Sequence, residues 1–211
     1  MLPPPSRLTP LQFAALALYA ERPRHPYEVY QEMLRRAEDR LVKVRPGTLY
    51  HAVGRLTELG LLEEQGVDRE GRRPERTTYA ITTAGGEAIE AELAQMLSRR
   101  AQEYPEFALA VAELANLEPE HVADLLARRA ADLQAYRGLL EASERAVTAR
   151  GLPEALWVEV GWLRAMTDAD LAWTERTIAR LRSGDLAWDR TALATRHAID
   201  PSNQPEPEGR S

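Results

Sequence analysis

The stretch Val44-Arg45-Pro46-Gly47-Thr48-Leu49-Tyr50-His51-Ala52-Val53-Gly54-Arg55-Leu56 carries the pattern that decides the fold of this chain. Pro46 suits the first turn of a helix, where a missing N–H costs nothing. Apolar residues then recur at helical spacing until Gly60 ends the helix: Leu49, Val53, Leu56 and Leu59. The opposite face carries Thr48, Tyr50, His51 and Arg55. Such a short amphipathic helix is typical of a reader of the DNA major groove, although a surface helix of an enzyme shares the same pattern.

The composition limits the classes of protein that this sequence fits. The 211 residues suit one large domain or two small ones, and 44% hydrophobic and 28% charged residues are ordinary for a soluble globular protein. The absence of cysteine excludes disulfides, thiolate nucleophiles and cysteine-bound zinc. No apolar run approaches the ~20 residues that span a bilayer, and the N-terminus lacks the apolar stretch of a secretory signal. The sequence therefore predicts a cytoplasmic protein with no membrane partner.

The charge is distributed unevenly along the chain. The net charge of −6 by itself argues against a polyanionic partner. Residues 1–86, however, hold 13 Lys and Arg against 11 Asp and Glu, whereas residues 87–211 hold 14 against 22. A nearly neutral N-terminal part beside an acidic C-terminal part indicates two modules with different functions.

The N-terminal module is predicted to contain two further helices before the stretch quoted above. Residues 1–8 include three consecutive prolines and are expected to form an extended arm. Thr9 can cap a helix that begins at Pro10, with one face formed by Leu11, Ala14, Ala15, Leu18 and Tyr19. A second helix is expected from Pro26 or Tyr27 to about Arg40, with Tyr27, Val29, Tyr30, Met33 and Leu34 on its buried side. The connector 41–44 is expected to be extended.

Two strands and a charged loop follow the third helix. Residues 61–65 and 77–82 have the composition of short strands, and the loop 66–74 between them contains Gly66, Gly71, Arg72 and Arg73. Three helices followed by such a hairpin form the winged-helix arrangement. The hairpin, or wing, would offer Arg72, Arg73 and Arg76 to phosphates or to the minor groove.

The C-terminal module is predicted to be helical. Helices are expected from Thr83 to about Glu103, over 107–117, from Glu118 or Pro119 to the turn at Gly151-Leu152-Pro153, and over 154–183. Two long helices joined by a tight turn form an antiparallel pair. Their apolar stripe is broad for a pair, so part of it is expected to be covered by a second subunit.

Several motifs of the N-terminal module resemble the PadR family of bacterial transcriptional regulators. They are Leu8-Thr9-Pro10-Leu11, His25-Pro26-Tyr27-Glu28, Arg45-Pro46-Gly47-Thr48-Leu49-Tyr50, Gly60-Leu61-Leu62-Glu63, Gly71-Arg72-Arg73-Pro74 and Tyr79-Ala80-Ile81-Thr82. They cover about residues 8–86. The long helical C-terminal part is similar in size to that of the larger PadR subfamily. This part of the resemblance rests on the helical pattern and not on a sequence motif.

The resemblance implies a homodimeric winged-helix repressor that binds double-stranded operator DNA and is released by a small ligand or a stress signal. It assigns DNA contacts to the start of the second helix, to the third helix and to the wing: Tyr27, Thr48, Tyr50, His51, Arg55, Arg72 and Arg73. Arg45, just before the third helix, is a further candidate DNA contact. Two positions depart from the family pattern. Pro26 stands where a glycine is usual, and Gly54 stands where a larger, often polar, side chain is common.

The aromatic residues of the last helix leave two interpretations open. Trp157, Trp162 and Trp173 can stack on a small aromatic or hydrophobic effector, or they can pack in a dimer core, which is the more ordinary role. The four histidines show no metal-ligand spacing, and the sequence has neither a catalytic constellation nor a phosphate-binding loop. No enzyme activity, cofactor or metal is therefore predicted.

The sequence as a whole predicts a mainly α protein with four parts. They are an arm (1–8), a winged-helix DNA-binding domain (9–86), a helical dimerisation and effector domain (87–183) and a disordered tail (184–211). The predicted function is that of a DNA-binding transcriptional regulator. The alternative is a winged helix that docks proteins and does not bind DNA.

Overall fold

The computed structural model describes residues 7–68 and 76–188, which fall into two compact units, Met1–Glu103 and Tyr104–Ser211. Each unit has a hydrophobic cluster of its own. In these described ranges, no helix is both long and apolar enough to cross a membrane. The fold is mainly α with one two-stranded antiparallel sheet, as the sequence predicts.

The first unit contains four helices and a hairpin. Its elements in chain order are α1 (Pro10–Glu21), α2 (Pro26–Arg35), α3 (Pro46–Glu58), β1 (Leu62–Asp68), β2 (Arg76–Ile81) and α4 (Thr83–Ser98). The start of α1 is as predicted: the Thr9 hydroxyl accepts a hydrogen bond from the Gln12 N–H at 3.3 Å, and the Gln12 side chain accepts one from the Thr9 N–H at 2.9 Å. These reciprocal bonds satisfy two backbone donors that an uncapped helix leaves unpaired.

The second helix ends earlier than the sequence predicts. α2 stops at Arg35, and a separate 3₁₀ turn covers Glu38–Arg40. Ala37 between them adopts a left-handed conformation with φ of 54°, which breaks the series of i to i−4 hydrogen bonds. The prediction was wrong here because the sequence has no glycine or proline to mark the break. The connector 41–44 forms no strand, because it does not pair with either strand of the hairpin.

The left-handed conformation of Ala37 gives a stability prediction. For a residue with a Cβ, this backbone region costs roughly 1–2 kcal/mol, whereas glycine adopts it freely. We expect Ala37→Gly to raise the free energy of unfolding by about 0.5–1 kcal/mol, measured by urea denaturation. Ala52→Gly, in the regular part of α3, is the matched control and should lower it. A loss of stability in Ala37→Gly would contradict the argument.

The core of the first unit forms around α1 and α3. Its fully buried side chains include Leu16, Tyr19, Leu49 and Leu56. The predicted face of α1 omitted Leu16, because a single stripe was assumed; α1 contacts α2, α3, α4 and β2 and is therefore buried on more than one side. The chain just after α1 also joins the sheet, since Arg24 and Tyr79 exchange two backbone hydrogen bonds of 3.0 and 3.1 Å.

A charged network ties the end of α1 to α2. The Arg36 guanidinium donates to the carboxylates of Glu21 and Glu32, and Arg24 and Arg35 donate to the same two carboxylates. Hydrogen bonds from Arg36 hold the pKa of Glu21 below its usual range, and those from Arg35 and Arg36 lower the pKa of Glu32 to about 2. Both carboxylates therefore stabilise the fold at neutral pH, and this contribution is lost as the pH falls below about 4.5 toward 2.

The hairpin bends at a bulge beside Gly66. The register of β1 and β2 shifts between Glu64 and Gly66, and Gly66 has a φ of 146°, which favours glycine. At its other end the hairpin leads directly into α4. The Thr82 hydroxyl accepts from the Gly85 N–H at 3.1 Å and donates to the Gly60 carbonyl at 2.7 Å. This contact fixes the start of α4 against the end of α3.

The second unit is a long helical pair with a short helix beside it. Its helices are α5 (Glu106–Ala112), α6 (Pro119–Ala149) and α7 (Val158–Ser183), with 3₁₀ turns at Leu114–Asn116 and Glu154–Leu156. The antiparallel pairing of α6 and α7 and the turn at Gly151, where φ is 67°, are as predicted. Ion pairs between Arg129 and Asp170 and between Glu144 and Arg164 connect the two helices.

One end of this helical pair is closed by aromatic side chains. The rings of Phe107 and Trp173 meet edge to face at 5.8 Å, and the Arg129 guanidinium lies 3.5 Å from the centre of the Phe107 ring. The Trp188 indole N–H donates to the Leu117 carbonyl at 3.2 Å. The first residues of the predicted tail therefore pack against the helices, and the rest of that tail lies outside the described residues.

Candidate nucleic-acid interface

The helix α3 separates a buried face from an exposed one. Its buried residues are Leu49, Ala52, Val53 and Leu56, and its outer face is exposed, with Tyr50 47% accessible. The predicted contact residues Thr48, Tyr50, His51 and Arg55 all lie on that outer face. We call this surface the α3 outer face. It can enter a groove because its buried side anchors the helix in the core.

Thr48 has a structural role at the start of α3. Its hydroxyl accepts from the Arg45 N–H at 3.1 Å and donates to the Arg45 carbonyl at 2.9 Å. The single hydroxyl proton is thus engaged, and Thr48 cannot donate to a phosphate or a base without releasing this cap. Thr48 therefore positions the first turn of α3, while the exposed Arg45 side chain stays available for an anion.

Arg55 is engaged in an ion pair on the same helix. Its Nη1 donates to Glu58 Oε2 at 2.8 Å, and both side chains are more than half exposed. An exposed pair of this kind contributes about 0.3–0.5 kcal/mol, so a phosphate can replace the carboxylate at little cost. Glu58 nevertheless places a negative charge one turn from the predicted DNA contacts.

The ion pair leads to a prediction about affinity. We expect Glu58→Gln to strengthen DNA binding about threefold to tenfold at low salt, because it removes a charge that repels phosphates and frees Arg55. Fluorescence anisotropy with a labelled duplex measures the change. Glu63→Gln, on β1, is the matched control and should have a smaller effect. Weaker binding of Glu58→Gln would show that Glu58 supports the interface.

The N-terminal end of α2 lies beside the α3 outer face. The His25 and Tyr50 rings meet edge to face, with centroids 6.2 Å apart. Tyr27 is 49% exposed and lies against Tyr30 at 6.4 Å. The prediction that Tyr27 belongs to the buried side of α2 was wrong, as it was for the exposed Leu34, because only Pro26, Val29 and Met33 of this short helix are buried. The exposure of Tyr27 agrees with its assignment as a DNA contact.

Two tyrosines, Tyr19 and Tyr79, lie near Tyr50. Burial raises the pKa of Tyr19 far above its usual value, and the neighbouring Tyr79, Tyr50 and Glu28 raise it further. Burial and the Glu64 carboxylate also raise the pKa of Tyr79, whose hydroxyl lies 3.5 Å from Glu64 Oε1. The rings of Tyr19 and Tyr79 meet edge to face, with centroids 6.5 Å apart.

The wing residues Arg72 and Arg73 lie outside the described residues. Arg76 is the first residue of β2. Their assignment as DNA contacts remains a prediction from the sequence. Gly54 lies exposed on α3, and a Cβ added there would meet no atom within 4 Å. Packing within the chain therefore does not require a glycine at this position.

The structure does not bring the three tryptophans of the second unit together. The Trp157 indole N–H donates to the Leu152 carbonyl at 3.1 Å, just before α7. Trp162 is 62% exposed, and Trp173 packs on Phe107. Trp162 and Trp173 lie on similar sides of α7 but are eleven residues, about 16 Å, apart. An effector pocket formed by all three within one chain has no support in this arrangement.

His25 is the residue of the site that the sequence analysis did not select. Its Nδ1 accepts a hydrogen bond from the Tyr27 backbone N–H at 3.1 Å, and the His25 backbone N–H donates to Glu28 Oε2 at 3.0 Å. The spacing of a polar residue at the helix start and a glutamate three residues later is the signal of a capping box. The histidine was overlooked because serine, threonine, aspartate and asparagine are the usual residues at this position.

These features define the class of the first unit. Three helices followed by a hairpin, with the third helix exposing a polar face, form a winged helix-turn-helix domain. Residues 15–91 match the family described as the Transcriptional regulator PadR-like family. The resemblance seen in the sequence is thereby confirmed for these residues. None of the curated proteins matches the chain.

Solved structures show a similar fold over most of the chain. Bacillus subtilis PadR in complex with operator DNA is 17% identical, with a TM-score of 0.67 over 81% of this chain and 98% of that one. Bacillus subtilis PadR in complex with p-coumaric acid is 17% identical, with a TM-score of 0.62 over 85% and 98%. The PadR-like transcriptional regulator BC1756 from Bacillus cereus is 12% identical, with a TM-score of 0.60 over 82% and 99%.

Proposed function

We propose that this protein is a sequence-specific, double-stranded DNA-binding transcriptional regulator that acts as a repressor. The observation that carries the proposal is the α3 outer face: Tyr50, His51 and Arg55 are exposed together on a helix whose other side is buried. The PadR-like family match and the Bacillus subtilis PadR structure with operator DNA support it. The helix enters the major groove, while Arg45, Tyr27 and the wing arginines contact phosphates.

The active form is proposed to be a homodimer formed through α7. One side of α7 packs on α6 through residues such as Val160 and Leu171, and its opposite side exposes Val158, Trp162 and Met166 at i, i+4 and i+8. Large exposed apolar stripes of this kind mark interaction sites, and a second copy of the chain is the occupant that a symmetric regulator requires. Trp162 then belongs to the dimer core rather than to an effector pocket.

Dimerisation explains how a small winged helix reaches specificity. Two α3 helices related by a two-fold axis read half-sites about 34 Å apart, or a multiple of that distance. A ligand that rotates the two winged helices out of this spacing releases the DNA. A small aromatic or hydrophobic molecule is the proposed effector class, supported by the Bacillus subtilis PadR structure with p-coumaric acid.

The DNA-binding proposal is tested with duplexes from the region upstream of the protein's own gene. Binding measured by gel shift is expected to weaken steeply with rising salt, because phosphate contacts release counterions. Arg72→Ala with Arg73→Ala should weaken binding to all sequences similarly, whereas His51→Ala should change base preference. Affinity independent of salt, or no binding to any duplex, would instead favour a protein-docking winged helix.

Repression and release are tested separately. A reporter driven by the bound upstream region should become more active when the gene of this protein is deleted. Adding a bound small molecule to the purified complex should lower its DNA affinity, and DNA should lower the affinity for that molecule by the same factor. A reporter that loses activity on deletion would identify an activator.

A further inference from the structure

We infer that His25 makes DNA recognition depend on pH, by holding Tyr50 in place only while its imidazole is neutral. This inference rests on the proposed DNA-binding function, because it makes His25 a regulatory residue of the DNA-binding site. His25 is a positioning residue: it acts through the start of α2 and through Tyr50, which lies on the α3 outer face.

The neutral state follows from the hydrogen bond that His25 makes. The Tyr27 N–H points at His25 Nδ1 over 3.1 Å, so Nδ1 must present a lone pair and the ring proton must reside on Nε2. An imidazolium carries a proton on both nitrogens and cannot accept this bond. Protonation therefore removes the cap of α2.

The backbone at the start of α2 is held in place, so protonation moves the His25 side chain and not the main chain. Pro26, the first residue of α2, has a restricted φ and is buried, so the backbone around Tyr27 cannot easily turn to find another acceptor. Protonation would place an Nδ1–H opposite the Tyr27 N–H, and because the backbone is held, the ring turns away; its edge-to-face contact with Tyr50 is then lost.

A carboxylate lies at the same helix start. Glu28 Oε2 accepts from the backbone N–H of His25 at 3.0 Å, and a nearby carboxylate attracts an imidazolium. The other titratable groups at this corner are Tyr19 and Arg24 at the end of α1, Tyr50 on α3 and Tyr79 on β2. Burial raises the pKa of Tyr19 and of Tyr79, away from the range in which a histidine ordinarily titrates, so we assign the change of state to His25.

Protonation of His25 is expected to lower the sequence specificity of DNA binding and not the affinity for DNA in general. An extra positive charge at low pH strengthens binding to every duplex. A displaced Tyr50 weakens only the reading of the selected sequence. The ratio of selected to scrambled affinities separates the two effects, since the general charge effect cancels in the ratio.

The experiment uses the full chain with a duplex selected from a random library at about pH 8 and a scrambled duplex of equal composition. We expect the affinity ratio of the wild type to fall about fivefold between about pH 8 and about pH 5.5. His25→Asn should keep a nearly constant ratio, because asparagine caps the helix without titrating. His121→Gln, which removes a histidine on α6 and leaves His25 intact, should retain the fall.

A second measurement on the protein without DNA keeps this inference separate from the proposed function. In ¹⁵N NMR, His25 should show the Nε2–H tautomer at about pH 8, and the Tyr27 amide and Tyr50 ring signals should shift with its titration. An Nδ1–H tautomer, or Tyr50 signals that ignore the titration, would overturn the inference even if DNA binds. A failure to select any duplex while the signals titrate together would overturn only the DNA-binding function.

Discussion

Gly85→Ala is expected to destabilise the first unit by on the order of 3 kcal/mol. A Cβ at Gly85 would lie 2.3 Å from the Leu61 carbonyl oxygen and 2.6 Å from Ile81 Cγ1. The carbonyl is backbone, and it accepts the Thr82 N–H at 3.1 Å, so it cannot move without breaking the junction between the hairpin and α4. Thermal or urea unfolding measures the loss.

Gly86→Ala is the matched control for this prediction. Gly86 is the next residue of α4, and a Cβ there would meet no atom within 4 Å. Alanine has a higher helix propensity than glycine, so this variant should gain up to about 1 kcal/mol. Equal effects of the two substitutions would show that the close approach to Leu61 is not what requires Gly85.

Trp162→Asp is expected to separate the dimer and to abolish most of the DNA affinity. A tryptophan at the centre of an interface contributes 2 kcal/mol or more, and in a two-fold dimer it is lost twice, so dissociation should rise at least about 100-fold. A monomer engages one half-site, which lowers the affinity for a full operator by about 10²–10⁴. Analytical ultracentrifugation gives the mass, and anisotropy gives the affinity.

The control variant is Leu97→Asp, which places the same acidic residue at an exposed leucine of α4. It should leave the dimer mass unchanged. The helical content of Trp162→Asp should equal that of the wild type, because Trp162 lies on the exposed side of α7. A Trp162→Asp variant that stays dimeric would place the subunit contact on another surface.

Much of the fold was predictable because local chemistry marks its elements. Thr9 and Pro10 define the start of α1, Pro46 and Gly60 delimit α3, and Gly151 marks the turn between α6 and α7. Each acts through its own backbone and needs no distant partner. The break at Ala37 gave no such signal, since the conformation of that residue is opposed to its local preference.

The candidate site was predictable only in part, for a related reason. Helical periodicity placed Tyr50, His51 and Arg55 on one exposed face, because the apolar residues of α3 fix which side is buried. The same periodicity assigned Tyr27 to the buried side of α2, because the pattern of one helix does not show how much of its surface the neighbouring elements cover. The spread of Trp157, Trp162 and Trp173 along the second unit was likewise invisible in the sequence.

The sequence by itself determined the order of the helices, the hairpin and the polar face of α3, because these depend on propensity, capping and periodicity over a few residues. Only the tertiary structure decided which side chains of different elements meet, such as His25 with Tyr50 and Tyr19 with Tyr79. The physical reason is that such contacts depend on side-chain rotamers and on how α1, α2, α3 and β2 pack together. No pattern within a single element specifies that packing.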